Sequence, residues 1–249
     1  MNWLKRLFGA ATNRPAAVVP PVVTLQALDP DIPIETVLAA TRQARHSSYR
    51  QLGKLLPLVP EADANSARWP ALRQGWSVIT RPASTLLASD GLSDPFGLDD
   101  SPPQALGFGL EVYAEALGHF DDLAHSWLFE LVRQVSQHVA DHGNFLSLLQ
   151  RHQFLTMLLH VDGIPAEWRG PDGAVGILIG LPASGIPSGF ETPYGPVRLA
   201  AITLLCPEEL AFLEEGDITQ GRHKLAGILL RTPPGHMIDL RRSAVVSYS

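Results

Sequence analysis

The sequence holds one cysteine, Cys206, and a single thiol excludes any intramolecular disulfide framework. That usage suits a reducing compartment, so a cytoplasmic location is expected. No run approaches the roughly 20 apolar residues of a membrane-spanning helix. The opening segment, MNWLKRLFGA, sets Lys5 and Arg6 inside a short apolar stretch. It lacks the apolar region of roughly 7–15 residues that a secretory signal requires. Basic clusters are missing too: 19 Lys and Arg stand against 25 Asp and Glu, a formal net charge of −6. Without a clustered basic surface there is no means of neutralising phosphates, which excludes nucleic acid as a partner class. A mildly acidic surface keeps the chain soluble and favours basic partners.

What is present is enough for a core: 45% of the residues are hydrophobic and 18% charged across 249 residues, which fits one globular unit. Residues 1–33 read as an amphipathic stub followed by a Pro-rich linker. Pro15, Pro20, Pro21, Pro30 and Pro33 keep that linker extended over the surface. Residues 34–249 read as the folded domain. A helical pattern runs from Ile34 to about Leu56, bounded by Pro33 and Pro57. Strands are expected at 76–80 and 83–89. Residues 107–116 alternate Phe108, Leu110, Val112 and Ala114 with Gly109, Glu111, Tyr113 and Glu115, the pattern of a half-buried strand.

The best helix spans about Asp122 to Asp141, with Leu128, Leu131, Val132, Val135 and Val139 on one face. Asp121 or Asp122 is expected to cap its start and Gly143 to end it. Strand-like segments follow at 154–161, 174–181 and 195–205. Pro207, Glu208 and Glu209 suit the first turn of a helix, where a missing N–H and negative charge are both favourable. A helix around 224–230 and a strand around 236–239 complete the chain. Helices and strands interleave without a βαβ rhythm. The expected class is α+β: a single domain with a mixed, mostly antiparallel sheet flanked by helices.

Catalytic templates are missing. No phosphate-binding loop and no nucleophile elbow is present. Gly107-Phe108-Gly109 enters a strand, whereas a dinucleotide site needs glycines that leave one. His138 and His142 are spaced as metal ligands on one helix, close to the centre of its apolar face if it stays regular to Asp141, with Asp141, His152 or His160 as a third donor. Position 139 is Val, so the general base of a zinc hydrolase is lacking. Cys206 lies near a helix start that would lower its pKa, or is simply a buried strand-end residue. No spacing joins Ser93, Asp94 and a histidine into a triad. Neither a cofactor nor a metal is expected.

Three ordered segments resemble the suppressor-of-fused domain family. The first is Gly91-Leu92-Ser93-Asp94-Pro95-Phe96-Gly97, followed by Gly107-Phe108-Gly109-Leu110-Glu111-Val112. The second is the helix that begins near Trp127. The third is Thr192-Pro193-Tyr194-Gly195-Pro196-Val197, then Pro207-Glu208-Glu209-Leu210, Leu229-Leu230-Arg231-Thr232-Pro233 and Ile238-Asp239-Leu240-Arg241-Arg242. The resemblance is strongest over residues 69–245 and weak over 144–170. The chain ends soon after Arg242, so a counterpart of the second domain of the animal proteins is not expected, and their Hedgehog-pathway role is not carried over. The resemblance implies a non-catalytic protein-binding module of the stand-alone bacterial type, with toxin neutralisation as an immunity protein one form of it.

Within the motif, Gly91, Gly97, Gly107 and Gly109 suit tight turns, and Asp94 before Pro95 suits a side chain bonded to its own turn. Pro193 and Gly195 suit a turn around Tyr194, and Asp239 is grouped with these structural positions. Arg231, Asp239, Arg241 and Arg242 form either an internal charge network or a partner-facing patch. Aromatic and arginine side chains anchor interfaces, which makes Trp168, Arg169, Tyr194, Arg241 and Arg242 the candidate contacts. Two other readings stay open: a metal-dependent hydrolase using His138 and His142, and a membrane-peripheral scaffold tethered through Trp3, Leu4, Leu7 and Phe8.

Overall fold

Prolines keep residues 20–28 extended, but this segment is anchored rather than draped. Leu28 N–H donates to the Pro103 carbonyl and Ala105 N–H to the Gln26 carbonyl, and Val23 inserts into the core. The computed structural model describes residues 20–58, 75–96, 103–215 and 217–246. The N-terminal amphipathic stub, residues 10–19 of the linker, Trp69 and Gly97 lie outside the described residues.

Helix α1 (Ile34–Leu52) starts after Pro33 as its prolines require, but it stops four residues short of the expected end. Lys54–Leu58 instead forms β1, an edge strand paired antiparallel with β2 (Trp76–Thr80). Gly53 makes that switch possible, because a Cβ there would strike the Thr80 carbonyl. Pro57 is tolerated in β1 because an edge strand need not donate on its outer side. Strands β3 (Ser84–Ser89) and β4 (Leu110–Leu117) continue the antiparallel run.

Strand β4 corrects the half-buried expectation. Its alternation is real, but both faces are covered. Val112, Ala114 and Ala116 join the larger core with α2 (Trp127–His142), whereas Tyr113 joins a second core containing Tyr49 of α1. Glu111 and Glu115 share the face of Tyr113 and are as buried as the apolar side chains. A polar residue in an alternating pattern marks the other face of the sheet; whether water reaches that face depends on what packs there.

Helix α2 begins at Trp127, later than expected. Ser126 rather than an aspartate caps it, its Oγ accepting from Phe129 N–H at 3.2 Å. Gly143 ends the helix in the left-handed conformation, φ 63°. A short helix unforeseen in sequence, α3 (Phe145–His152), leads into β5 (Leu155–Leu159), which pairs with β6 (Val175–Ile179). Another unforeseen strand, β7 (Gly189–Thr192), forms a hairpin with β8 (Gly195–Leu205) through Pro193 and Tyr194.

The long β8 ties the sheet together. It pairs parallel with β4 and antiparallel with β6 and β7, giving the order β1-β2-β3-β4-β8-β6-β5 with β7 also on β8. The result is one α+β domain with a mixed, mostly antiparallel open sheet. Helix α4 (Pro207–Glu214) opens on Pro207 as predicted, and α5 (Ile218–Leu229) begins six residues before the expected 224. Both cover Leu178 and Leu205 in a third apolar cluster. The expected strand at 236–239 is a single bridge of Ile238 to Ala116, because Ile238 bonds β4 on both sides and the chain then turns away.

Gly107 gives this arrangement a sharp test. It has φ 51°, and a Cβ there would lie 2.6 Å from the Leu92 carbonyl and closer still to that of Asp94. Gly143 has the same handedness with open space around it. Gly143→Ala is expected to cost about 1 kcal/mol, the left-handed penalty alone. Gly107→Ala should cost about 3 kcal/mol or more, because strain and collision combine. Urea unfolding midpoints of the two variants measure the difference.

Candidate functional site

Two polar clusters occupy the second face of β4, one at each end. The first surrounds Glu111, whose carboxylate is fully buried. The turn Gly91-Leu92-Ser93 aims three backbone N–H groups at it, from Gly91 at 3.2 Å, Leu92 at 3.3 Å and Ser93 at 3.0 Å. Ser89 Oγ and Ser93 Oγ donate at 2.5 and 2.6 Å. Arg45 of α1, also fully buried, donates from Nη1 to Glu111 at 3.2 Å and to Asp94 at 2.8 Å, and from Nε to Asp90 at 2.7 Å. Among the described residues Asp94 bonds Arg45 rather than a backbone N–H of its own turn. A buried cation offers a stronger partner than a local N–H, and Arg42 approaches its other oxygen at 3.8 Å.

The glycine-rich motif is thus the wall of a carboxylate cage. Phe108 N–H donates to the Leu92 carbonyl at 2.9 Å, which locks the 107–109 turn against the cage. Burial disfavours the Arg45 charge, but Glu111, Asp94 and Asp90 together raise its pKa above the ordinary value. Burial pushes Glu111 and Asp94 upward. Asp90 is also desolvated, yet His46, Arg45 and Ser77 hold it well below the usual carboxylate range. The cage is enclosed and its carboxylates are met by donors, while Arg45 Nη2 is buried without a hydrogen-bond partner among the described residues; such an enclosed network suits structure rather than turnover.

The second cluster surrounds Glu115. Arg81 Nη1 donates to both its oxygens at 2.9 and 3.0 Å, Ser84 Oγ donates to Oε1 at 2.5 Å, and His236 Nε2 lies 2.8 Å from Oε2. Burial alone would raise Glu115, but His236, Ser84 and Arg81 outweigh it and hold the carboxylate low. This cluster forms part of the lining of an open groove of about 500 Å³ between the β3 start and the 230–237 segment. Serine and histidine both bind the carboxylate rather than each other, so they do not form the serine–histidine pair of a triad. Sequence reading missed Arg45, Arg81 and His236 altogether, because no local pattern links them to acids on β4.

The candidate contact residues separate in space. Trp168 is 3% exposed and donates from Nε1 to the Leu240 carbonyl at 3.0 Å. Arg242 stacks on that ring at 5.1 Å and holds the buried Glu209 with two bonds of 2.5 and 2.7 Å. Arg169 bonds the Ile164 and Val161 carbonyls. Arg241 extends into solvent with Asp239 beside it, and Tyr194 is half-buried on the β7–β8 turn. Pro193 and Gly195 sit in that turn as expected.

The proposed metal pair falls elsewhere than the sequence suggested. His138 is half-buried and His142 exposed at the end of α2, not at the centre of the apolar face, which Val135 and Val139 occupy. The rings stack at 5.8 Å, and burial with the neighbouring His142 lowers the His138 pKa. Among the described residues no group of three or more His, Cys, Asp or Glu is placed to hold a metal ion. Cys206 is buried, and burial with Glu209 nearby pushes its thiol up to about 12, so the helix start does not activate it.

The sheet order, the helices on both faces and the caged β4 carboxylate can be set against solved structures. The Sufu–Fu complex crystal structure matches with a TM-score of 0.50 at 15% identity, covering 84% of this chain and 91% of that one. Drosophila Suppressor of Fused matches with a TM-score of 0.51 at 16% identity, covering 88% of this chain. The chain has a suppressor-of-fused-like fold. It spans 54%, about half, of the Drosophila protein. A suppressor-of-fused homologue from Neisseria gonorrhoeae FA 1090 aligns with a TM-score of 0.46 at 9% identity, over 86% of this chain and 97% of that one. No protein-family model matches the sequence, and no curated protein matches it. No helix among the described residues is long and apolar enough to cross a membrane.

The cage makes two measurable demands. Arg45→Met leaves Glu111 and Asp94 buried without their cation and should cost about 3–5 kcal/mol. Adding Glu111→Gln should return part of that loss. Strictly additive losses in urea unfolding would show that the two side chains are not coupled. The second demand concerns acid. Because Asp90 is held low, its stabilisation is complete above its unfolded pKa and is lost as pH falls through its folded value. Glu111 and Asp94, pushed up, act with the opposite sign. Asp90→Asn should therefore lose stability less steeply than the parent between about pH 6 and pH 3, measured by thermal unfolding at each pH.

Proposed function

We propose that this chain is a non-catalytic protein-binding module acting in the cytoplasm. The observation that carries this reading is the edge of the sheet at β5. That strand pairs with β6 on one side, and no strand among the described residues covers its other side. Its backbone groups there have no backbone partner among the described residues. Leu158 is 54% exposed beside half-buried Leu155 and Met157. An exposed apolar edge is a template for an added strand. The opposite edge, β1, is blunted by Pro57 and by exposed Lys54.

The fold supports the same reading, since one of the matched structures is a complex of Sufu with Fu. The carboxylates of both acid clusters are met by internal donors, which suits a scaffold that presents its perimeter. The formal charge of −6 favours a partner with a basic surface, and Arg241 and Tyr194 are the expected contact residues left accessible. The more specific form of the proposal is an immunity protein that neutralises a toxin.

Leu158→Lys tests the edge at a position where substitution should change stability by no more than about 0.5 kcal/mol. Tagged parent protein should capture a partner saturably from the source cell, and Leu158→Lys should weaken that capture about tenfold or more. Equal capture by both, or no saturable partner, overturns the reading. Co-expression with the captured partner should restore growth if the partner is a toxin.

A further inference from the structure

The groove over Glu115 has a charge balance opposite to that of the chain. Across it stand Arg81 and Arg231, with Glu115 the one acid among its lining residues. Arg81 commits Nη1 to Glu115, and its Nη2, with no hydrogen-bond partner among the described residues, lies 3.7 Å from where a Cβ on Gly185 would sit. Arg231 is exposed, and its guanidinium has no hydrogen-bond or ion-pair partner among the described residues. It lies over Gly227, where the missing side chain leaves room: a Cβ there would sit 3.6 Å from Nη1. Pro182, Pro233 and Pro234 form stiff apolar walls, and Leu230 is 50% exposed at the rim.

Taken with the protein-binding reading, on which it rests, this arrangement has a definite ligand chemistry. We propose that the groove takes an extended, acidic segment of a partner protein, whose carboxylates meet Arg231 and the free nitrogens of Arg81. The groove is open rather than enclosed, which suits a chain segment better than a small molecule that must be enclosed. Glu115, fixed by Ser84, His236 and Arg81, keeps Arg81 in place, and it is the two arginines that repel a basic segment. Proline walls accept a preordered extended ligand at little entropic cost.

A fluorescein-labelled peptide of alternating glutamate and proline, followed by anisotropy, is the probe. It should bind saturably and weaken with added salt, and a glutamine–proline counterpart should bind more weakly. Arg231→Gln, an exposed substitution, should weaken the acidic peptide about three- to tenfold. Leu158→Lys should leave peptide binding unchanged, which separates this groove from the β5 edge. Equal binding of the glutamine peptide, no effect of Arg231→Gln, or displacement of the peptide by glutarate at equal concentration overturns the proposal; the last would mark a small-carboxylate site instead. A protein that captures its partner through β5 but ignores the acidic peptide refutes the groove and leaves the binding reading intact.

Discussion

The arrangement of this domain depends on putting two glutamates on the covered second face of its central strand. A carboxylate taken out of water needs donors and positive charge, or it becomes neutral. Glu111 obtains them from three backbone N–H groups, two hydroxyls and Arg45. The donors come from three places: the end of β3, the turn after it, and the middle of α1. Satisfying one charge therefore fixes the position of three elements. Arg45 extends the constraint, since its other bonds reach Asp90 and Asp94 and tie α1 across the sheet. Such a network contributes less to net stability than to the choice of one packing among several.

The same logic recurs near the C-terminal end of the described chain. Glu209, buried at the start of α4, accepts from Cys206 N–H, Val245 N–H and both terminal nitrogens of Arg242. Arg242 also donates to the Leu204 carbonyl and covers Trp168. The Asp-Leu-Arg-Arg segment is thereby latched to the end of β8 and to the 3₁₀ turn Ala166–Trp168. Its two arginines have opposite fates. The segment is a turn, closed by Arg242 N–H on the Asp239 carbonyl, and it directs Arg242 inward while Arg241 faces water.

Much of this was legible from the residues. Helix α2 announced itself through Leu128, Leu131, Val132, Val135 and Val139, and β8 through its apolar run. The ordered motifs led to the right fold because the Gly-Leu-Ser-Asp turn and the Gly-Phe-Gly turn interlock around Glu111. Their purpose was not legible, since a cage needs its cation and Arg45 lies 66 residues away in sequence from Glu111. Strand β1 was lost because Leu55 and Leu56 continue the apolar content of α1, and only Gly53 signals the break. Helix α3 is eight residues long, too short for its periodicity to stand out. The histidine pair was misplaced because the spacing of two side chains says they are neighbours, not which way the helix turns them.

Placing the acids inward has a consequence for where recognition can occur. With both ends of β4 consumed by internal charge networks and both sheet faces covered by helices, the features accessible to a partner lie at the perimeter. They are of two kinds. Strand β5 offers backbone groups and apolar side chains, which recognise conformation more than sequence. The Glu115 groove offers fixed cations between stiff walls, which recognise charge. Glu115 connects the interior to that second feature: its carboxylate is held low by donors from the core and in turn restrains Arg81 at the groove. A charge buried to specify the fold thereby also sets the sign of the surface above it.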